Sequence, residues 1–418
     1  MFGALRSRDF RLFWSGAFVS NIGSWIQSIS LSWLVLQLTN SPFALGVVNF
    51  AGTAPVLALS LFGGDIADRT DRRRLLLTTQ SLLLGLAMTL AVITFIGWVN
   101  VGYVVVITLL TGIVTAINGP AWQAFIVDLV EPSDLPTAIA LNSTQFNLSR
   151  VAGPSIAGVL LALITAAGCF LVNGLSFLAV VGALVVIRPR RSVHKLEAGS
   201  MWKRLRAGLG YTLRHSVLRQ LIILTSVVTI CGFPYSVLMP VMAQNVLGLG
   251  ADGYGGLMAA TGVGAILGSL TIARWGNYLP RGRLLIAAEL GFSASVLGFS
   301  VSRTFLVSLA TLVCLGFCMI AYMTNANTTI QLIVPNELRG RVMSIWTLVS
   351  FGMMPIGSLV FGAIAQVWGA PVALGIGGAI CAIAAVVTVL FSSTLRLLPA
   401  GVNLEIPRPA AAPTAERG

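Results

Sequence analysis

Long apolar runs alternate with short polar connections along almost the whole chain. Each run has about 20 or more residues, which is the length that an α-helix needs to cross a hydrocarbon core about 30 Å thick. The runs are continuous rather than alternating, so they predict membrane helices and exclude a membrane β-barrel. Twelve helices, numbered 1 to 12 in chain order, are predicted at residues 11–38, 43–66, 75–98, 101–126, 138–163, 167–188, 219–247, 253–274, 284–302, 304–333, 341–367 and 371–393.

Basic residues are concentrated in some connections and missing from others. The chain has 26 Lys and Arg, and 24 of them lie in the N-terminus, the C-terminal tail, or connections 2–3, 6–7, 8–9 and 10–11, with helix ends included. Cytoplasmic connections of membrane proteins are enriched in Lys and Arg. The pattern therefore predicts a multi-pass protein of the cytoplasmic (inner) membrane with both termini in the cytoplasm. It assigns the net charge of +13 to topology and headgroup contact rather than to nucleic acid.

The chain offers little material for catalysis or metal binding. Only two histidines occur, His194 and His215, and both lie in the connection between helices 6 and 7. The five cysteines all lie in apolar helices, and the closest pair, Cys314 and Cys318, has no His or carboxylate beside it. Buried cysteines of this kind usually serve packing. We therefore predict no metal, no cofactor and no enzymatic activity.

The longest polar stretch divides the chain into two similar halves. The predicted domains are an N-terminal six-helix bundle at 1–188, a basic cytoplasmic linker at 189–216, a C-terminal six-helix bundle at 217–394 and a disordered tail at 395–418. Three blocks recur in the same order at nearly constant offset: 35–46 matches 246–257, 72–77 matches 281–286, and 129–139 matches 332–342. Such duplication is typical of transporters whose substrate site lies between the halves near the membrane midplane.

The connection between helices 2 and 3 carries a dense cluster of charges. Residues 64–76, GDIADRTDRRRLL, resemble the signature G-x-L-A-D-R-x-G-R-R/K-x-x-L of the major facilitator superfamily. Ile66 replaces the leucine, and Asp71 replaces the second glycine, which removes a residue free to adopt positive φ. The resemblance covers the whole chain in topology. It implies the major facilitator fold, an all-α integral membrane protein with twelve transmembrane helices in two pseudo-symmetric six-helix bundles.

The resemblance also implies a gate at the cytoplasmic end. In the family, the acid at the Asp68 position ties helix 2 to the N-terminus of helix 11 when the protein is open outward, where the helix dipole favours a carboxylate. The arginine at the Arg72 position pairs with an acid at the end of helix 4, where Asp128 stands. A purely topogenic role for these charges is the alternative.

A second resemblance lies in helix 5. Residues 147–158, NLSRVAGPSIAG, resemble the antiporter motif G-x-x-x-G-P-x-x-G-G of exporters, with Ala157 in place of the penultimate glycine. Residues 21–46 and 118–130 resemble the branch that contains the enterobactin exporter and macrolide efflux proteins. Helix 4 lacks the arginine of the drug/proton antiporters. The predicted gate and motif residues are Gly64, Asp68, Arg69, Arg72, Arg73, Asp128, Gly153, Pro154 and Gly158.

The family fold places helices 1, 4, 7 and 10 around a central cavity. Helices 1 and 4 each carry polar side chains on one face, and such stripes are costly when they face lipid. Hydrogen bonding between helices is the alternative use of these side chains. The predicted substrate-binding residues are Asn21, Trp25, Ser28, Thr115, Asn118, Arg150, Tyr235, Met239, Tyr322 and Asn325.

Three charged residues are candidates for coupling transport to an ion. Arg150 lies about 18 Å into helix 5 and either meets an anionic substrate or pairs with a carboxylate. Glu289 in helix 9 is a candidate proton site, and pairing with Arg281 or Arg283, or reaching the headgroups, is the alternative. Asp65, near the cytoplasmic end of helix 2, either takes part in coupling or belongs to the gate.

The sequence thus predicts a secondary active transporter. No nucleotide-binding signature occurs in the 418 residues, so the energy is expected to come from a proton or other ion gradient. An aromatic, amide and hydroxyl lining fits a bulky amphipathic small molecule, a siderophore or a drug. We predict a monomer that exports such a molecule by alternating access and proton antiport. An importer or facilitator of a small metabolite with the same fold, a membrane enzyme, a channel and a transport-inactive sensor are the alternatives.

Overall fold

The fold was analysed in a computed structural model that describes residues 3–187, 209–276 and 278–399. The regular secondary structure of these residues is helical, and no strand occurs among them. A short 3₁₀ turn, Gly3–Arg6, precedes the first long helix. Residues 189–208 of the predicted linker and 400–418 of the predicted tail lie outside the described residues.

All twelve predicted helices are present. Ten segments are long and apolar enough to cross a membrane. One of them, Leu135–Val186, holds both helix 5 and helix 6, and helix 1 completes the twelve with 32 residues that include more polar side chains. Helices 1 to 4 are Arg8–Thr39, Pro42–Arg69, Arg72–Phe95 and Val101–Leu129; helices 8, 9, 10 and 12 are Ala251–Trp275, Arg281–Val301, Phe305–Ile333 and Ala370–Phe391.

Two helices, 7 and 11, are interrupted, and helices 5 and 6 follow each other without a connecting loop. Helices 5 and 6 meet at Thr165, which has a positive φ of 62°. Helix 7 spans Ser216–Val246 and contains wider π-helical turns at Val228–Gly232 and Met242–Val246. Helix 11 is divided into Asn336–Gly352 and Met354–Trp368. Turns of this kind in membrane helices free backbone groups that neighbouring helices then satisfy.

Each half is packed from its own six helices. In the N-terminal half, helix 1 lies on helices 5 and 6, helix 2 on helix 4, and helix 3 on helices 4 to 6. In the C-terminal half, helix 8 lies on helix 10, and helix 9 lies between helices 10 and 12. The C-terminal half extends past residue 394, because Leu395 and Leu398 are buried and the main chain of Leu395 lies against Gly282.

The two halves meet through helices 2 and 11 and through helices 5 and 8. The second contact is backbone on backbone: a Cβ atom added to Gly158 would lie 2.4 Å from the Cα of Gly255. A similar approach occurs where Gly46 of helix 2 faces the carbonyl of Ser358. Small residues at such crossings allow membrane helices to approach closely.

Contacts between the halves are confined to one side of the bundle. We name the end with residue 3, residue 399 and connections 2–3, 4–5, 8–9 and 10–11 the basic end, and the other the opposite end. The cross-half side-chain contacts of the described residues include Asn40–Asn245, Ser41–Gln366, Asn49–Ser358, Trp33–Tyr254 and Arg150–Met319. These contacts lie between the opposite end and the middle of the helices, so they close the bundle at the opposite end.

Candidate functional site

Arg150 marks the point where contact between the halves stops. It lies near the middle of helix 5 and reaches into the C-terminal half, where its Nη2 atom is 3.5 Å from the sulfur of Met319 on helix 10. Its side chain is half-buried. Among the described residues no carboxylate forms an ion pair with it. The structure therefore presents a cation at the middle of the bundle with a neutral thioether as a partner.

Tyr235 of helix 7 belongs to the same cluster. Its hydroxyl lies 3.7 Å from the sulfur of Met319, so the tyrosine and the guanidinium of Arg150 share one partner. The ring of Tyr235 packs edge-on against Phe292 and beside Phe233, with ring centroids 6.5 Å apart in both cases. Aromatic contacts of this kind fix the ring and its hydroxyl in one position. Helices 5, 7 and 10 thus meet at Met319.

Helix 1 contributes an aromatic side chain at the same level. Trp25 is half-buried and its Cβ lies against Gly153 of helix 5, where a Cβ atom on the glycine would come within 2.4 Å. Further along helix 1, Ser28 is exposed and lines a cavity of 170 Å³ between helices 1, 2, 4 and 7. Asn21 is half-buried and Thr115 of helix 4 is exposed. These four predicted substrate-binding residues keep their side chains accessible.

The other predicted substrate-binding residues are engaged in packing. The side-chain oxygen of Asn118 accepts hydrogen bonds from Thr79 Oγ1 at 2.8 Å and from Gln80 Nε2 at 3.2 Å, which joins helices 3 and 4. Tyr322 is buried and forms a 2.9 Å hydrogen bond with Thr225 of helix 7. These contacts match the alternative of interhelical hydrogen bonding. Met239 is fully buried as well.

Asn325 is held by the first residue of helix 9. Its amide nitrogen donates to the main-chain oxygen of Arg281 at 3.0 Å, and its oxygen accepts from Arg281 Nη1 at 3.4 Å. Only 2% of Asn325 is exposed. The side chain therefore joins helices 9 and 10 rather than facing open space.

The charged connection 2–3 has a defined structure at the basic end. Arg72 Nη1 donates to both carboxylate oxygens of Asp128, at 2.9 and 3.0 Å, which joins the start of helix 3 to the end of helix 4. Arg73 donates to the carbonyls of Leu184 and Val185 at 2.6 and 2.7 Å. A cation at that position stabilises the C-terminal end of helix 6.

The aspartate that departs from the family signature has a local role. Asp71 is the N-cap of helix 3, and its carboxylate accepts a hydrogen bond from the Arg74 backbone nitrogen at 2.9 Å. Its φ is −62°, so this position does not require a residue with positive φ. Carboxylates are among the preferred N-cap residues. The Asp71 substitution therefore replaces backbone freedom by a helix cap.

The remaining charges of this connection stay within the N-terminal half. Asp68 lies 3.9 Å from Arg72, and its side chain is 54% exposed. Asp65 pairs with Arg69 at 2.9 Å, and both side chains are mostly exposed. Gly64 has open space around it, whereas its neighbour Gly63 lies directly against the carbonyl of Ala116. The tight helix 2–4 crossing thus depends on Gly63.

Pro154 and Gly158 of the helix-5 motif are buried, and Gly158 is the residue that meets Gly255. A cavity of 460 Å³ at the basic end is lined by residues of the N-terminal half, among them Arg6, Asp9 and Asp134. It is not between the halves. We therefore place the candidate site at the cluster of Arg150 and not at this cavity.

Glu289 has neither of the partners that the sequence offered. It is fully buried, and neither carboxylate oxygen has a hydrogen-bond partner among the described residues. Burial also excludes the extended conformation in which it would reach the headgroups.

Three residues of the C-terminal half that contact the N-terminal half were not predicted from the sequence. Met319, Tyr254 and Gly255 all contact the other half. Gly255 lies in residues 246–257, which were recognised as a repeat of 35–46, so the repeat was an available signal. Met319 carries no such signal, because one methionine in an apolar helix is unremarkable.

Comparisons with known proteins agree with this geometry. Residues 1–405 match the family described as "Transmembrane secretion effector". The chain is 28% identical to the staphyloferrin A transporter of Staphylococcus aureus over 361 residues, 86% of this chain and 90% of that protein. It is 23% identical to the enterobactin exporter EntS of Escherichia coli over 368 residues, 85% of each. A bacterial homologue of the human lysosomal transporter Spinster matches with a TM-score of 0.70 at 13% identity, over 92% of this chain and 95% of that one.

These matches confirm the predicted superfamily and its fold of two six-helix bundles. They also confirm the prediction that the chain is not an enzyme, because the family and the matched proteins are membrane transporters. The chain belongs to the transmembrane secretion effector family of the major facilitator superfamily and is a multi-pass membrane transporter.

Proposed function

We propose that the protein is a secondary active exporter of a bulky, amphipathic, anionic small molecule such as a siderophore or a drug. The observation that carries this proposal is the position of Arg150. A guanidinium near the middle of a membrane helix is costly unless something compensates its charge. Its side chain contacts the thioether of Met319, and no carboxylate of the described residues forms an ion pair with it. An anionic group of the substrate supplies that compensation when it binds between the halves.

The accessible aromatic and polar side chains near Arg150 support an amphipathic substrate. Trp25 offers an apolar face, and Asn21, Ser28 and Thr115 offer hydrogen-bonding groups. Sites for such ligands combine an apolar lining with a few polar groups that fix orientation. A matched relative is named as a siderophore transporter and another as an exporter, and both names agree with this ligand class.

The basic end faces the cytoplasm in this proposal, in agreement with the distribution of Lys and Arg. A bundle closed at the opposite end is then open to the cytoplasm, where an exporter collects its substrate. The substrate leaves after the halves rock about the contacts of helices 5 and 8, and the proton gradient of the inner membrane drives the cycle. The protein acts as a monomer, since each chain already holds both halves.

Asp68 closes the cytoplasmic side in the other half of the cycle. In the described structure its carboxylate is 54% exposed and lies 3.9 Å from Arg72. When the basic ends come together, it meets the N-terminus of helix 11, whose partial positive charge stabilises it.

Proton movement in energised everted membrane vesicles tests this function. Anionic siderophores, macrolides and cationic dyes are added in turn while a pH-sensitive dye reports the lumen. We expect alkalinisation on addition of an anionic compound. Arg150→Ala should lower the apparent affinity for that compound about tenfold or more, since an unpaired anion in the membrane interior is costly. Arg150→Lys should lower the apparent affinity less.

Arg303→Ala is the matched control, because Arg303 contacts only main-chain oxygens at the opposite end in the described structure. It should transport like the wild type. Equal responses to cationic and anionic compounds in wild type and Arg150→Ala would contradict the assigned substrate class. A loss of folded protein in Arg150→Ala alone would instead assign the arginine a structural role.

A further inference from the structure

Glu289 stands out among the buried charged groups of the C-terminal half. It lies eight residues into helix 9 from Arg281, about 12 Å along the helix axis. None of its surface is exposed, and neither carboxylate oxygen has a hydrogen-bond partner among the described residues. Buried carboxylates are normally paired or hydrogen-bonded. A buried carboxylate without a partner is costly, so its presence in this membrane helix points to a function.

The groups around Glu289 are neutral. Tyr322 of helix 10 and Cys381 of helix 12 lie close enough to Glu289 for an electrostatic interaction with its carboxylate. Thr225 of helix 7 holds the Tyr322 hydroxyl at 2.9 Å. The other titratable or charged groups on these elements are Arg219, Cys231 and Tyr235 of helix 7, Cys314 and Cys318 of helix 10, Arg281 and Arg283 at the start of helix 9, and Arg396 after helix 12.

None of the arginines neutralises Glu289. Arg281 is bound to Asn325 at the basic end of helix 9, and Arg283 is two residues further along. Neither carboxylate oxygen of Glu289 has a hydrogen-bond partner among the described residues, so none of these arginines pairs with it there. Hard cations such as Mg²⁺ and Ca²⁺ prefer several carboxylate or carbonyl oxygens, and no group of three or more His, Cys, Asp or Glu side chains that could hold a metal ion occurs among the described residues. A proton is therefore the cation that fits this site.

We infer that the carboxyl group of Glu289 is the proton-binding site that couples the transport cycle to the proton gradient. The inference rests on the proposed function. In the described state the group is protonated and neutral, which makes its burial tolerable. Release transfers one proton from the carboxyl group to water and leaves a carboxylate. No other covalent bond in the protein is made or broken.

The carboxylate then needs a hydrogen-bond donor, and the Tyr322 hydroxyl is at hand. When this hydroxyl turns from Thr225 to Glu289, the bond between helices 7 and 10 is lost. Tyr322 is three residues, less than one helical turn, from Met319, whose sulfur contacts both Arg150 and Tyr235. Proton release at Glu289 is thereby transmitted to the substrate site.

The test uses the distance between the basic ends and needs no substrate. Spin labels are placed at Thr70→Cys and Tyr278→Cys, both exposed at the basic end, in a variant without the five native cysteines, reconstituted in lipid. In the wild-type background the ratio of the short to the long distance should rise about tenfold or more with pH, because the charged carboxylate disfavours this packing. Glu289→Gln should stay at the long distance at every pH.

Ser293→Ala is the control, because it removes another buried hydroxyl one turn along helix 9, and it should titrate like the wild type. Tyr322→Phe keeps the ring and removes the donor, so its transition should move to higher pH. A Glu289→Gln variant that titrates like the wild type, or a wild type that does not respond to pH, would overturn the inference.

The vesicle assay separates this inference from the proposed export. Compound-dependent proton movement that persists in Glu289→Gln would overturn the inference and leave export standing. A pH-dependent distance that Glu289→Gln abolishes, together with no transport of any compound, would support the proton site and contradict export.

Discussion

Two arginines at matching positions of the internal repeat have different partners in the two halves. Arg72 and Arg281 are matching positions of the repeated blocks, and each is the first residue of its helix. Arg72 binds a carboxylate, Asp128, close to the end of helix 4. Arg281 binds an amide, Asn325, two turns inside helix 10. The first contact joins opposite charges, and the second joins a cation to a neutral amide.

The difference indicates which half can change its ionic contacts when the ends of the helices move. An ion pair at the edge of the membrane can exchange partners when the ends of the helices move, since water and neighbouring charges are available. Asp68, 3.9 Å from the same arginine, is such a neighbour. The amide of Asn325 is bonded on both sides and is 2% exposed, so the start of helix 9 is fixed. The N-terminal connection is therefore the adaptable one.

The largest effect on stability is expected for Asp128→Ala. It leaves Arg72, whose side chain is 13% exposed, without its main partner. Removing one member of a buried pair costs about 3–5 kcal/mol, and the lower figure applies here because Asp68 can take over part of the interaction. The unfolding free energy in bicelles measures the loss. The double variant Arg72→Met with Asp128→Leu should recover most of it; a double variant as unstable as Asp128→Ala would contradict the ion-pair explanation.

An intermediate effect is expected for Asn325→Leu. It removes two hydrogen bonds between helices 9 and 10 and leaves their partners on Arg281 with fewer contacts, at a cost of about 1–3 kcal/mol. Asn325→Asp introduces a charge pair like that of the other half but loses the amide donor. Its loss of stability should therefore be smaller than that of Asn325→Leu. Thr328→Val, at an exposed hydroxyl bonded within helix 10, serves as the control. If Asn325→Asp is as unstable as Asn325→Leu, the two halves are not interchangeable in this respect.

The smallest effect on stability is expected for Asp65→Asn and Asp68→Asn. Their side chains are 57% and 54% exposed, and exposed pairs contribute about 0.5 kcal/mol. The two variants should nevertheless differ in transport, because only Asp68 is proposed to meet helix 11. Vesicle transport should be lost in Asp68→Asn and kept in Asp65→Asn. Normal transport in both would leave these charges with the topogenic role alone.

Most of the fold could be predicted from the sequence because lipid imposes one solution. Apolar runs of sufficient length must be helices, and the prediction of helix 9 at 284–302 compares with the observed Arg281–Val301. The joint of helices 5 and 6 at Thr165 was placed within two residues. The π-helical turns of helix 7 were not predictable, because they depend on the helices packed against it.

The candidate site was predictable in kind and less so in detail. Periodicity identifies a polar face, but it does not say whether that face meets water or another helix. Asn118 and Asn325 are bound to neighbouring helices, whereas Trp25 and Arg150 remain accessible. Charge was the better guide, because a buried arginine has few tolerable environments. The partner of Arg150, Met319, requires the relative position of the two halves, which no local pattern contains.

The turns at the opposite end have a consequence for encounters outside the cell. Helices 5 and 6 are joined at Thr165 and helices 11 and 12 at Gly369, and the longest of the six connections there has five residues, 96–100. In the proposed orientation, with the basic end in the cytoplasm, these connections leave almost no chain projecting from the outer surface. Antibodies, bacteriophages and secreted proteases would therefore have very few exposed loops to bind. A recognition reagent for intact cells should therefore be raised against a shape made by several helix ends together rather than against a peptide.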